Sequence, residues 1–341
     1  MGHRYEVYGL QVRSTEPLRG LLLGQSAMEP DLDIIWCRDE GEQLTESRQW
    51  TALSMSLQPH SVTPVKLWRS NNAGGELLRL SYSVDNSVCD FVFDQVERKL
   101  WVIFPGVITR GRLRSFLLGS VISSILRLRG TICLHASVVS LKQQAIAFAG
   151  RKGDGKSTTA VALAQRGAAV LSDDIAAIRQ DHGRFVVHPG EMDVRLLESS
   201  VGALYGGSDA SAKAAGIDGK VRVRLSEEAG QFGRFARHAL PLAAIYLFAD
   251  GAASDALPSI SLVRPGDRYM SLFQHFYGFW LNKDLTHIPD FKTLSQLVNA
   301  VPVYRIDRRK KLEQLPSLCD AIIKNLSEQD EGGALQLASG S

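Results

Sequence analysis

The stretch G-R-K-G-D-G-K-S, residues Gly150–Ser157, decides the fold class of this chain. It fits the pattern G-x-x-x-x-G-K-[ST] at every position. Glycines let a backbone curl closely around phosphate oxygens because no Cβ stands in the way, and successive N–H groups can then form a nest for an anion. We expect Lys156 to reach the β- and γ-phosphates of a bound nucleotide and the Ser157 hydroxyl to ligate Mg²⁺.

The residues on either side of this loop favour a parallel α/β arrangement. Ala145–Ala149 predicts a buried strand that runs into the loop, and Ser157–Gln165 predicts the helix that follows it. Ala168–Leu171 predicts the next strand, which completes a βαβ unit. An ordinary glycine turn is the alternative for the motif alone, and this context favours nucleotide binding. The residues predicted to bind the nucleotide are Gly150, Gly153, Asp154, Gly155, Lys156, Ser157 and Thr158.

A pair of carboxylates, Asp173 and Asp174, follows the predicted strand Ala168–Leu171. Ligands collect at the carboxyl ends of parallel strands. We therefore expect the pair to lie beside the loop Gly150–Ser157, here called the phosphate loop. Neighbouring side chains on an extended chain point in different directions, which suits two separate roles. One of the two could hold Mg²⁺ together with Ser157, and the other could accept the proton of an attacking hydroxyl. The alternative is that one aspartate only caps the segment that follows.

The rest of the chain divides into a β-rich half and a mixed half. Residues 1–113 alternate apolar and polar residues, as in Leu77–Val84, and predict a β-rich N-terminal domain that could grip a substrate. Residues 114–327 predict the P-loop domain, and the polar tail 328–341 is predicted to be disordered. The fold class is therefore α/β, or α+β for the whole chain. The Gly- and Ala-rich stretch Gly206–Gly219 has a composition that suits a lid.

Composition excludes several classes of function. Hydrophobic residues make up 45% and charged residues 22% of the 341 residues, which is typical of globular proteins. A net charge of +3 gives no reason to expect nucleic acid or a membrane surface as a partner. The four cysteines are widely spaced and predict reduced thiols rather than a zinc site or disulfides. No signal peptide is recognisable, so a cytoplasmic protein is expected.

The stretch Leu134–Asp174 resembles the HPr serine kinase family, and especially its short members from peptide-modification pathways. The shared features are an L-H-A strand, the G-x-x-G-x-G-K-S loop, a helix that ends in Q-R-G, and the D-D pair. The resemblance implies a catalytic set of His135, Lys156 and Asp174, with Asp174 as the base. The predicted metal ligands are then Ser157 and Asp173. Without it, a lone histidine on an apolar strand is more often a satisfied core residue.

Looser matches extend the resemblance over about residues 116–325. His188-Pro189-Gly190 and the following Val194-Arg195-Leu196 are similar to a stretch of the short homologues, and Lys220 is similar to a lysine of the family. Arg195 and Lys220 are accordingly expected to contact substrate or phosphate, and solvated surface charge is the alternative for both. The E-x-R-G signature of the bifunctional kinase/phosphorylases is missing. Glu191 and Asp193 lie near its expected place, outside such a motif.

The resemblance implies an ATP-dependent serine kinase that uses Mg²⁺, with Mn²⁺ as an alternative. Its most specific implied acceptor is the C-terminal serine of a lasso-peptide precursor. HPr-type protein kinases and small-molecule kinases are alternatives within the same chemistry. The expected partner is a peptide or protein substrate, and a homo-oligomer stays open.

Two other classes of function compete with a kinase. A nucleotide-binding sensor would use the phosphate loop without transferring a phosphoryl group, and it would need no second carboxylate after one has served the metal. A motor-type ATPase would need an arginine finger, for which the sequence offers no candidate.

Overall fold

In a computed structural model of the chain, the described residues are 2–25, 27–39, 42–46, 48–56, 65–72, 75–206, 219–228, 232–249, 257–277 and 289–338. They form two large sheets flanked by helices, so the predicted mixed α/β class is confirmed. The predicted lid, Gly206–Gly219, lies outside the described residues except for its two ends.

The N-terminal sheet has nine strands in the order β3-β1-β2-β4-β9-β8-β7-β6-β5. Neighbouring strands are antiparallel except β2 with β4 and β4 with β9. Strands β8 and β9 pair as an antiparallel hairpin. The elements of this region are β1 (His3–Val7), β2 (Leu10–Ser14), β3 (Leu22–Leu23), β4 (Leu32–Arg38), α1 (Glu42–Glu46), β5 (Thr51–Ser56), β6 (Val65–Asn72), β7 (Gly75–Val84), β8 (Ser87–Asp94) and β9 (Lys99–Phe104).

One helical segment covers the apolar face of this sheet. It consists of α2 (Arg110–Phe116), a π-helical turn (Leu117–Val121) and α3 (Ile122–Leu128). The Thr109 side chain caps α2 by accepting a hydrogen bond from the backbone N–H of Arg112. The core of the N-terminal sheet includes apolar side chains from all three parts of the segment. The predicted boundary between residues 113 and 114 therefore falls inside α2, and the division into domains stays a prediction.

The second sheet carries the phosphate loop. Its strands run in the order β10-β14-β15-β19-β12-β11-β13-β18, and β21 adds to β19 with β20 beside it. The bounds are β10 (Ile132–Leu134), β11 (Ala136–Leu141), β12 (Gln144–Ala149), α4 (Lys156–Ala164), β13 (Ala169–Ser172), β14 (Ala176–Asp181), β15 (Arg184–His188), β16 (Asp193–Leu197), α5 (Glu198–Tyr205), β17 (Lys220–Arg224), β18 (Arg234–Phe235), β19 (Leu240–Ala249), β20 (Ser259–Leu262), α6 (Pro265–Phe273), α7 (Pro289–Ala300), β21 (Val303–Asp307), a 3₁₀ turn (Leu312–Gln314) and α8 (Leu315–Ala338). Strands β16 and β17 form a separate two-stranded ribbon.

The strand directions bring the loop and the aspartate pair to one edge. Strand β11 lies between β12 and β13 and is antiparallel to both. Strands β12 and β13 therefore point the same way, and their carboxyl ends meet at the same edge of the sheet. The predicted βαβ unit thus contains an extra strand between its two parallel members. The L-H-A strand that the resemblance implied is in fact the junction of two strands, β10 and β11, which separate at His135.

Both faces of the second sheet are buried, because its strands alternate between two apolar cores. Ile146 and Phe148 of β12 pack in the core that contains α4 and α8. Ala145 and Ala147 of the same strand face the core formed with α6 and α7. This three-layer packing holds the phosphate loop on a rigid support.

The C-terminal helix differs from its prediction. Disorder was expected over the tail 328–341, but α8 continues to Ala338. A helix that has already nucleated gains one hydrogen bond per added residue. The residues after Ser327 are mostly good helix formers, which overcome the paired glycines Gly332 and Gly333.

Two sequence-based expectations concern the chain as a whole. Within the described residues, no helix is long and apolar enough to cross a membrane. The four cysteines are free thiols in the structure, and Cys89, Cys133 and Cys319 are buried.

Candidate active site

The phosphate loop has the backbone geometry of an anion cradle. Gly153 and Gly155 have φ values of +89° and +78°, in the left-handed region that a side chain disfavours. Helix α4 begins directly after Gly155, which offers no side chain to cap the first-turn N–H groups. These N–H groups and the helix dipole are therefore available to an anion.

Lys156 lies inside this cradle. Its Nζ donates to the carbonyl oxygens of Gly150 and Arg151, each at 2.9 Å. The side chain is almost fully buried, and burial lowers the pKa of Lys156 to about 8 despite the attraction of Asp174 and Asp173. A desolvated ammonium held only by neutral carbonyls would be stabilised by an incoming phosphate.

Asp154 has a different place from the one predicted. Its carboxylate accepts from the Arg151 N–H at 2.5 Å and pairs with Lys310 at 2.6 Å. The residue is buried and is not among those that line the cavity described below. Arg308 donates to the Asp154 carbonyl and lies 4.5 Å over the Phe248 ring. Asp154 therefore shapes the loop rather than facing a nucleotide, because its oxygens are already bound.

Asp173 lies next to the hydroxyl of Ser157. Its Oδ1 accepts from Ser157 at 2.9 Å and from Ser137 at 2.6 Å, and its Oδ2 accepts from the Arg195 N–H at 3.1 Å. The two residues predicted to hold a metal thus present adjacent oxygen atoms, the donors that Mg²⁺ prefers. The described residues contain no group of three or more His, Cys, Asp or Glu that could hold a metal.

Asp174 lies at the centre of a polar network. Its Oδ2 accepts from the Arg195 guanidinium and, at 3.1 Å, from the Tyr277 hydroxyl. His135 Nδ1 lies 3.2 Å from Oδ1 and 3.1 Å from the Asp174 carbonyl oxygen. Both neighbours are acceptors, so Nδ1 carries the proton. The Asp174 backbone has φ +75°, a strained conformation for a non-glycine residue.

The charge of Asp174 is stabilised against its burial. Burial raises the pKa of the carboxyl, but Arg195, His135 and Lys220 outweigh this effect and hold it well below its usual value. Asp174 is therefore an anion in the ligand-free site. Burial and the nearby Asp174 raise the pKa of Tyr277, which stays a protonated donor.

Tyr277 is a site residue that the sequence did not reveal. Its backbone N–H donates to the Cys133 carbonyl at 2.8 Å, and its ring stands edge-on to His135 at 5.5 Å. It is 103 positions from Asp174 in the chain and belongs to no motif. Tyr277 reaches the site only because the segment after α6 packs against β10.

These residues line one cavity of about 370 Å³. Of the predicted residues, Gly153, Gly155, Lys156, Ser157, Thr158, His135, Asp173, Asp174, Arg195 and Lys220 face it. The only lining carboxylates among the described residues are Asp173 and Asp174. The lining cations are Arg112, Lys152, Lys156, Arg195, Lys220, Arg308, Lys310 and Lys311. A cavity this rich in positive charge suits a polyanionic ligand.

Glu191 and Asp193 take no part in this cavity. Arg114 lies 2.8 Å from Glu191 and 3.3 Å from Asp193, and Arg224 binds both oxygens of Asp193. The two carboxylates are therefore held in a buried ion-pair cluster between α2 and the β16–β17 ribbon. Neither is placed to supply the glutamate that the family signature would have contributed.

Comparisons with known proteins give structural likenesses and no match at the level of sequence. No family model matches the sequence, and no curated protein matches it. Among solved structures, the chain is similar to the HPr(Ser) kinase/phosphatase from Coxiella burnetii, with 10% identity and a TM-score of 0.32. The match covers 60% of this chain and 96% of that chain. At that TM-score the likeness does not assign a function, so the function proposed below rests on the geometry of the site.

Proposed function

We propose that this chain is an ATP-dependent kinase that phosphorylates a serine hydroxyl. One observation carries the proposal: the Ser157 hydroxyl donates to Asp173 at 2.9 Å, and the next residue, Asp174, faces the same cavity. The phosphate loop, a metal-ligand pair and a second carboxylate are thus within one site. A pure binding module would have no use for the second carboxylate.

The residues of the loop bind and orient the triphosphate. Lys156 exchanges its two carbonyl partners for phosphate oxygens, and the first-turn N–H groups of α4 hold the same anion. Ser157 and Asp173 would hold Mg²⁺, which supplies neutralisation of phosphate charge. Arg195 has a backbone fixed by Asp173 and a partly exposed guanidinium. Its side chain can therefore turn from Asp174 towards the transferred group.

Asp174 receives the proton of the acceptor. The serine oxygen forms a bond to the γ-phosphorus while the bond from that phosphorus to the β,γ-bridging oxygen breaks, and ADP leaves with the electron pair. The hydroxyl proton passes to the Asp174 carboxylate. His135 and Tyr277 hold this carboxylate in place when Arg195 moves. Because the network favours the anion, Asp174 orients the hydroxyl strongly and takes the proton late.

The acceptor proposed for this kinase is a peptide, with the C-terminal serine of a lasso-peptide precursor as its most specific form. The support for this choice is the sequence resemblance around Leu134–Asp174. HPr and small hydroxyl compounds would use the same chemistry and are the competing acceptors.

The test is phosphoryl transfer by the full chain with ATP and Mg²⁺. We expect a mass increase of one phosphate on at least one member of a panel of serine-ending peptides. Asp174→Asn should lower turnover by about 10³-fold while ATP still binds, because the base is lost and the phosphate loop is intact. Unchanged turnover in this variant would remove Asp174 from the mechanism. Tight ATP binding without transfer to any acceptor would favour the sensor instead.

A further inference from the structure

The cavity has a second wall, away from the phosphate loop. Residues of α2 and the π-helical turn line it: Arg112, Ser115, Phe116, Gly119 and Ser120. This wall, here called the acceptor wall, belongs to the helical segment that packs on the N-terminal sheet. A π-helical turn inside an α-helix is uncommon and is often found at functional sites.

The acceptor wall is fixed against the catalytic residues. Arg195 of β16 pairs in register with Arg222 of β17, and the Arg222 guanidinium donates to Ser115 at 2.7 Å. The ribbon that carries Arg195 is thereby fastened to α2. A group bound on the acceptor wall would lie on the Asp174 side of the cavity, where the attacking hydroxyl is needed.

The wall is rigid and has open space in front of it. Phe116 stacks on the Tyr82 ring at 4.4 Å, and the Tyr82 hydroxyl lies 2.6 Å from the Ser120 hydroxyl. A Cβ built on Gly119 would meet no atom within 4 Å. Gly119 lines the cavity, so that space is part of it. The missing side chain leaves room for a ligand.

The charge on this side is positive. Arg112 lies 3.5 Å from the exposed carboxylate of Asp85, and its Nε is buried without a hydrogen bond among the described residues. Lys220 also lines the cavity and acts on the pKa of both Asp174 and Lys156. Lys156 and the loop N–H groups serve the triphosphate at the other end. Arg112 has no such partner in the proposed mechanism.

We infer that the acceptor wall is a subsite for a carboxylate that neighbours the reacting hydroxyl, with Arg112 as its main cation and Lys220 as a second cation in the same cavity. A C-terminal serine and a small hydroxy acid both carry this chemistry. An internal serine or an amidated chain end lacks it. The inference rests on the proposed function, because it places the acceptor of the same site.

Binding to the full chain tests the subsite without requiring transfer. Two peptides of identical sequence end in serine, one with a free carboxylate and one with a carboxamide. In the presence of Mg²⁺ and a non-hydrolysable ATP analogue, we expect the acid to bind about tenfold more tightly, as for a charge-assisted hydrogen bond. Equal affinity of the two peptides, or no binding of either, overturns the inference. N-acetylserine has the carboxylate but no peptide chain. Its binding therefore distinguishes a subsite for a small hydroxy acid from a subsite for the end of a peptide.

Matched variants show which residues cause the preference for the acid peptide over the amide peptide. Arg112→Gln should abolish the difference between acid and amide, and Arg112→Lys should restore part of it. Arg110→Gln removes the same charge from the same helix, but Arg110 binds Glu16 and does not line the cavity, so the preference should persist. Gly119→Leu should weaken peptide binding about tenfold and leave the affinity for the ATP analogue unchanged. A preference that survives Arg112→Gln would overturn the assignment.

The same peptides with ATP separate this inference from the proposed function. Phosphate on the acid and the amide at equal rates would support a kinase without the subsite. A selective complex with the acid and no phosphate on either peptide would support the subsite and contradict the kinase.

Discussion

The two sheets of this molecule treat buried charge in opposite ways. In the N-terminal sheet, buried carboxylates find partners nearby: Asp90 binds Arg79 of the neighbouring strand at 2.8 Å, and Asp94 accepts from two N–H groups of the next turn at 2.9 Å. In the second sheet, Asp174 binds residues from three distant segments, and the Nζ of Lys156 hydrogen-bonds to neutral carbonyl oxygens of the described residues. The carboxylates with nearby partners, Asp90 and Asp94, stabilise the fold. Asp174 and Lys156 face the cavity, and in the proposed function they contact a ligand.

The largest expected effect is that of Lys156→Met. Turnover should fall by about 10³-fold, because the cation at the phosphates is lost. The free energy of unfolding at pH 7 should stay equal or rise, because a desolvated ammonium is removed. Between pH 8 and pH 10.5 the unfolded chain binds the proton that the folded chain has lost, so the contribution of Lys156 to stability rises with pH, and the wild type should gain stability relative to Lys156→Met over this range. Urea unfolding at pH 7 and pH 10 measures this, and a strong loss of stability at pH 7 would make Lys156 structural.

A substitution in the core of the N-terminal sheet should lower the free energy of unfolding, in contrast to Lys156→Met, which should lower turnover. Phe91→Ala should lower the free energy of unfolding by about 3–5 kcal/mol, because a fully buried ring that packs edge-on against Tyr82 at 5.6 Å is lost. The control is Val88→Ala on the same strand, where an exposed side chain should contribute about 0.5 kcal/mol or less. Urea unfolding of both variants decides the matter. Equal effects would mean that this sheet is not packed as described.

The smallest effect is a pH dependence of opposite sign in the N-terminal sheet. Burial raises the pKa of the Cys89 thiol from 9.0 to about 12. Above pH 9 the unfolded chain loses this proton while the folded chain keeps it, so the contribution of Cys89 to stability should fall with pH, by at most about 1.4 kcal/mol per pH unit. Urea unfolding at pH 9 and pH 10 should therefore show the wild type losing stability relative to Cys89→Ala. The same slope in both would assign the effect to another group.

Sequence patterns predicted the local part of the site well. The glycine positions, Lys156 and Ser157 follow one another in a motif, and the direction of two flanking strands sufficed to place Asp173 and Asp174 beside it. The inner role of Asp154 was missed, because the motif does not say which way a loop side chain turns. Its partner Lys310 comes from the far end of the chain.

The pairing of Asp174 could not be predicted, for a different reason. Tyr277 reaches it through the antiparallel bridge of Leu134 with Phe276, a contact with no sequence periodicity. The acceptor wall likewise depends on how α2 packs against the β16–β17 ribbon. The split of one apolar run into β10 and β11 was also invisible, since both strands are equally apolar.

The sequence by itself determined the phosphate loop, the α/β class and the doublet that follows β13, because these depend on residues close together in the chain and on the alternation of apolar side chains. Only the tertiary structure decided what surrounds Asp174 and what closes the cavity opposite the loop. Those partners come from segments between 21 and 107 positions apart in the chain, and long-range packing, not local preference, brings them together.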